Sequence, residues 1–112
     1  MEYRYLGKTG LQVSPICLGT AFRGEINEHA GVRVIETALD LGCNFIDSAF
    51  YGAGRSEVIV GKAIKGRRDD VVLCTKIFGT EGDGPNYTGL SRFNLMQGID
   101  ASLKRLQTDY ID

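Results

Sequence analysis

Short apolar runs alternate with helix-period stretches along this chain, and that alternation restricts it to folds built on a parallel sheet. The opening 16 residues read as a hairpin: Tyr3 and Tyr5 alternate with polar residues, Lys8-Thr9-Gly10 turns, and Leu11-Gln12-Val13 alternates again. After Pro15 comes a first strand, Ile16-Cys17-Leu18, ending at Gly19-Thr20, and then a polar loop. Val32, Ile35 and Leu39 share one face of a helix running from about Asn27, its N-cap, to Leu41, with Gly42 as its stop. Asn44-Phe45-Ile46-Asp47 is a second strand that ends on a carboxylate. Val58, Ile59, Ala63 and Ile64 predict a second helix, closed by the cations of Lys65-Gly66-Arg67-Arg68. The run from Val71 to Lys76 is the third strand, apolar as strands buried on both faces are. A Gly-rich loop over residues 79–90 leads to Ser91, the expected N-cap of a third helix with Leu95, Ile99, Leu103 and Leu106 as its apolar stripe. Asp109-Tyr110-Ile111-Asp112 then resembles the opening of a fourth strand, so that the chain stops in mid-element.

At 112 residues the chain is one domain, residues 1–112. A net charge of −1 removes the basic face that nucleic-acid binding needs. No apolar run approaches the roughly 20 residues of a membrane span. Met1-Glu-Tyr-Arg-Tyr lacks the layout of a signal peptide, and the expected location is cytoplasmic. Cys17, Cys43 and Cys74 lie far apart inside apolar stretches, as buried reduced thiols do, and His29 is the one histidine. No zinc or iron–sulfur site, and no other metal site, is expected from so sparse a ligand set.

An open doubly wound sheet and a closed barrel both satisfy the alternation, and both keep function at the C-terminal ends of the strands. Gly52-Ala-Gly54 before a helix hints at a dinucleotide loop, but the third glycine would fall at Glu57, and the stretch follows the wrong strand. Gly19 and Gly24 bracket a loop rather than opening a helix, which also counts against the doubly wound sheet.

Gly19-Thr20, Asp47 with Tyr51 behind it, and Lys76 end successive strands, and in a parallel sheet they share one rim. Taken singly, Asp47 reads as well as a loop carboxylate, Lys76 as a solvated cation, Tyr51 as a packing ring and His29 as an exposed helix-start residue. Taken together, Asp47, Tyr51 and Lys76 form an acid–base group. An ammonium beside a phenol favours its ionised form, and a carboxylate holds the ammonium in place. Such a group protonates a carbonyl oxygen as hydride reaches carbon, and only a nicotinamide can supply that hydride.

Tyr3-Arg-Tyr-Leu-Gly-Lys-Thr-Gly-Leu-Gln-Val-Ser14, Leu18-Gly-Thr20, Asn44-Phe-Ile-Asp-Ser-Ala49, Tyr51-Gly-Ala-Gly-Arg-Ser-Glu57, Val72-Leu-Cys-Thr-Lys76 and Leu103-Lys-Arg-Leu-Gln-Thr-Asp-Tyr-Ile-Asp112 follow one another in an order that resembles the aldo/keto reductases. The resemblance implies part of a (β/α)8 TIM barrel: a hairpin plugging its bottom, three βα units and the start of a fourth strand. It implies NADP(H)-linked reduction of aldehydes or ketones, with a small carbonyl or alcohol as substrate. Tyr51 would be the general acid, Lys76 its tuning residue and Asp47 the partner of the lysine, while Gly19, Thr20, Ala21 and Asp47 would lie near the nicotinamide ribose. The chain is also similar to potassium-channel beta subunits, which implies as the alternative a non-catalytic, NADP-binding regulatory role.

Two departures follow. Four residue steps separate Asp47 from Tyr51, where the family usually has five, so either the turn absorbs the deletion or Tyr51 points away. A barrel needs about 250 residues, and the family's substrate-orienting histidine would follow residue 112. The 112-residue chain alone is therefore expected to be inactive, and its open sheet edges to invite self-association.

Overall fold

A computed structural model describes residues 1–22 and 26–112, and Gly24 lies outside them. Strands β1 (Arg4–Tyr5) and β2 (Gln12–Val13) pair antiparallel as the expected hairpin. Asn44 anchors it: its Oδ1 accepts from the Ser14 amide at 2.8 Å, and its Nδ2 donates to the Gln12 carbonyl at 3.0 Å. Because Asn44 directly precedes the second strand of the main sheet, the hairpin sits at the rim opposite Asp47.

That sheet has β3 (Cys17–Gly19), β4 (Phe45–Asp47) and β5 (Val72–Cys74) parallel and in chain order. Its register makes three rows: Cys17–Phe45–Val72, Leu18–Ile46–Leu73 and Gly19–Asp47–Cys74. Successive side chains face opposite ways along a strand, so the middle row points to one face and the outer rows to the other. The middle row meets the helices, where Ile46 and Leu73 are fully buried. Helices α1 (Glu28–Asp40), α2 (Arg55–Ala63) and α3 (Arg92–Leu106) form one layer, α1 packing on α2 and α2 on α3. Ile35, Leu39, Ile59, Val60, Ile64 and Leu106 complete that core. Burying such a side chain contributes about 1.5–3 kcal/mol. The layer lies tight at one point, where a Cβ on Gly61 would stand 2.6 Å from the Leu106 carbonyl oxygen, so α2 and α3 meet there backbone to backbone with room for glycine alone.

The local signals for helix starts hold. Asn27 Oδ1 accepts from the Ala30 amide at 2.7 Å, and the Ser91 hydroxyl accepts from the Asn94 amide at 3.2 Å.

Four expectations change. The third strand stops at Cys74, leaving Lys76 two residues past it, and only Leu73 in it is fully buried because the sheet's other face carries no layer among the described residues. For the same reason Cys17 is exposed and Cys74 half-buried, while Cys43 is the buried thiol. Residues 109–112 form no strand. The Asp112 amide donates to the Leu73 carbonyl at 3.2 Å, and its carboxylate accepts from the Leu73 amide at 2.9 Å, a local clasp in place of a ladder. Finally, α3 does not bury the stripe predicted for it. Of that stripe only Leu106 is buried, and the inward line is Asn94, Gly98, Ser102 and Leu106. The small and polar residues turn in because Gly98 seats the Ile77 side chain, Ser102 meets Arg105 and the Asn94 amide reaches the Gly89 carbonyl.

Candidate active site

The parallel register carries the ends of β3, β4 and β5 to one rim, with Gly19, Asp47 and Cys74 level across it. Two bonds lock β3 to β4: the Thr20 amide and hydroxyl both donate to the Asp47 carbonyl, at 2.9 and 3.0 Å. Thr20 is fully buried, so its hydroxyl is engaged in fixing the strand ends. Gly19 has open space where a Cβ would lie, and Ala21 is exposed beside it. The Ser48 amide donates to the Cys74 carbonyl at 2.8 Å, which carries the pairing one step past Asp47.

Lys76 reaches back over this rim. Its ammonium forms an ion pair with Asp47 Oδ1 and donates to the Ser48 carbonyl at 2.9 Å. Burial pulls the lysine downward, but the hydrogen bond and charge of Asp47, with smaller help from Cys74 and Tyr51, outweigh it and hold Lys76 above the ordinary lysine value. The contact therefore adds its stability in full below pH 10.5 and loses it as pH rises through the raised value. Replacing Asp47 with asparagine should lower the Lys76 titration midpoint, read by NMR of its ε-methylene. An unchanged midpoint would mean that the ion pair is absent in solution.

Tyr51 lies with Lys76 in the wall of one pocket of about 260 Å³, completed by Ala49, Phe50, Phe78 and Gly79. Three aromatic rings make the wall largely apolar, as ligand pockets are. Just past Tyr51 the chain enters a tight turn in which Gly52, Ala53 and Gly54 all adopt positive φ. Asp47, Tyr51 and Lys76 are thus gathered at one place, with Gly19 and Ala21 along the same rim. A larger concavity of about 610 Å³ lies beside Arg68 and Tyr110, away from the strand ends. Two of the polar groups that line it are engaged with neighbours, Arg68 with Asp112 and Tyr110 with Asp69.

Several residues at the site carry no signal in the sequence reading. The Cys74 thiol is pushed up by burial, then by its hydrogen bond to Asp47 and that residue's charge, against the opposing pull of Lys76. The Cys17 thiol is pushed up by burial and then by Asp47, so both thiols share the carboxylate's surroundings. Behind the rim, Glu57 is fully buried between Thr75 and Arg105. Its one sequence cue is a carboxylate on the face where α2 shows apolar residues. Among the described residues no cluster of three or more His, Cys, Asp or Glu side chains could hold a metal ion, and no helix is long and apolar enough to cross a membrane.

A family model described as the Aldo/keto reductase family matches residues 15–112. An uncharacterised oxidoreductase of Bacillus subtilis (strain 168) is 46% identical over 125 residues, which cover 100% of this chain and 38% of that protein. Probable voltage-gated potassium channel beta subunits of Arabidopsis thaliana and of rice (Oryza sativa subsp. japonica) are 43% and 41% identical, each over 118 residues, 100% of this chain and 36% of theirs. An aldo-keto reductase from Bacillus halodurans, solved in its holo form, superposes with a TM-score of 0.87 at 38% identity, covering 100% of this chain and 38% of that one. The chain thus spans less than two-fifths of the length of the curated relatives it matches.

Proposed function

The chain belongs to the aldo/keto reductase family, and from that premise we propose that it is the part of a (β/α)8 barrel that carries the acid–base group of an NADP(H)-dependent carbonyl reductase. One observation supports this reading above the others: the Asp47–Lys76 ion pair on the strand-end rim, with Tyr51 in the wall of the same apolar pocket. Asp47 and the Ser48 carbonyl take two of the ammonium's donors and fix it beside the phenol. Tyr51 delivers a proton to the carbonyl oxygen of a small aldehyde or ketone, and receives one back in the reverse direction. The bound cofactor supplies the hydride. The residues on the rim suit the nicotinamide end of such a group, because Gly19 leaves open space and Ala21 and the half-buried Asp47 line it. The choice of NADP(H) and a cytoplasmic location belong to this proposal. NADPH consumption with a panel of aldehydes, measured for the 112-residue chain and for the chain extended through the rest of a barrel, tests it. Turnover in the extended form supports the reading, and NADPH bound without turnover on any carbonyl overturns it.

A second reading is a cofactor-bound regulatory body, supported by the plant channel subunits among the relatives and by the shortened step from Asp47 to Tyr51. NADPH binding without turnover is the result it expects.

The bare sheet face, with Cys17 and Gly19 exposed and Phe45, Val72 and Cys74 half-buried, supports self-association of the chain expressed alone. Light scattering should give a dimer or larger species. A monodisperse monomer would refute it.

A further inference from the structure

The ion pair of fully buried Glu57 and part-buried Arg105 grips the residue immediately before Tyr51 and the one immediately before Lys76. Glu57 Oε1 accepts from the Thr75 hydroxyl at 2.6 Å, and Thr75 precedes Lys76. Glu57 Oε2 accepts from Arg105 Nε at 2.5 Å, and the guanidinium lies 4.9 Å from the centre of the Phe50 ring, which precedes Tyr51. A second guanidinium nitrogen donates to Glu81 Oε2 at 3.1 Å and to the Ser102 hydroxyl at 3.3 Å. One guanidinium thus joins the turn after β4, the loop after β5, and α3, while its carboxylate partner joins α2 to the end of β5.

The backbone is shaped around this passage. Gly54 has φ +87°, and a Cβ there would stand 2.5 Å from Arg105 Cδ and 3.2 Å from the Phe50 ring. The glycine therefore lets the arginine lie between the turn and the helix layer, which accounts for the Gly-rich turn without a phosphate ligand. Glu57 is fully buried, and a charge so placed keeps its partners at fixed distances, since any opening strands it away from water.

We propose that Glu57 and Arg105 are positioning residues that hold Tyr51 and Lys76 in register, through Phe50 on one side and Thr75 on the other. Adjacent Cα atoms are held at one fixed separation across a trans peptide, so movement at Thr75 or Phe50 passes directly to its neighbour. The inference rests on the reading of Tyr51 and Lys76 as the reacting pair, but its test needs no turnover.

The test follows the Lys76 titration by NMR of its ε-methylene in Thr75→Val, Thr75→Ser and Glu57→Gln chains, with thermal melts in parallel. Asp47, Cys74 and Tyr51 raise Lys76 through their charges. Thr75→Val changes no charge, so a shift there reports movement and decides the test, whereas Glu57→Gln also removes a carboxylate that itself favours the ammonium. The midpoint should fall by roughly half a unit in Thr75→Val and in Glu57→Gln as the contact with Asp47 loosens, and Thr75→Ser should restore it. A Lys76 midpoint within about 0.1 unit of the parent in folded Thr75→Val overturns the proposal, whether or not Glu57→Gln folds. A chain that titrates as expected but never consumes NADPH when extended keeps the positioning and loses the reductase reading. Turnover with an unmoved Lys76 does the reverse.

Discussion

Replacing Tyr51 with phenylalanine in the extended chain should remove roughly 10²–10⁴-fold of kcat while leaving KM and the melting temperature close to those of the parent. The ring stays in the same pocket wall as Phe50 and Lys76, so its packing is kept while the phenolic hydroxyl is lost. A defect confined to kcat marks an interaction made in the transition state. If KM rose instead and kcat held, Tyr51 would be a binding ring and the acid would have to be sought elsewhere. If both stayed unchanged, the four-step turn would have carried the phenol out of use.

The second large effect is on stability. Arg105→Met should cost about 3–5 kcal/mol in chemical denaturation, because it leaves the Glu57 carboxylate, 0% exposed, without its cation. Against the 5–15 kcal/mol of an ordinary domain, that is a large share of the total stability. The double variant Glu57→Gln with Arg105→Met should be more stable than Arg105→Met alone, since a stranded buried charge costs more than a missing pair. A loss below about 1 kcal/mol for Arg105→Met would place the pair in the class of solvated surface bridges.

How far the sequence could be read depended on the range of the interactions involved. Asn27 and Ser91 announced their helices because a cap acts within three residues. Asp47 stood out because a carboxylate closing an apolar run is a local anomaly, and the alternation of elements then carried it to the same rim as Lys76. The Glu57–Arg105 pair joins residues 48 apart and shows only as two charges on helices, indistinguishable from solvated ones until α2 and α3 are packed. The stripe Leu95, Ile99 and Leu103 misled for a related reason. Periodicity identifies an apolar face, but close packing against Ile77 selects a small residue, and Gly98 and Ser102 won the inward side of α3. The third strand lost its last two residues because its apolar run was assumed to be covered on both faces, and only the helix side is.

The proposed role of Lys76, held by Asp47, is to make Tyr51 a working acid. The most direct measurement compares kcat for NADPH-dependent aldehyde reduction by the extended chain and by its Lys76→Met variant, with cofactor affinity measured for both. The expected result is turnover by the parent and a loss of at least about 100-fold in the variant, with NADPH still bound. Equal rates in the two proteins would contradict it.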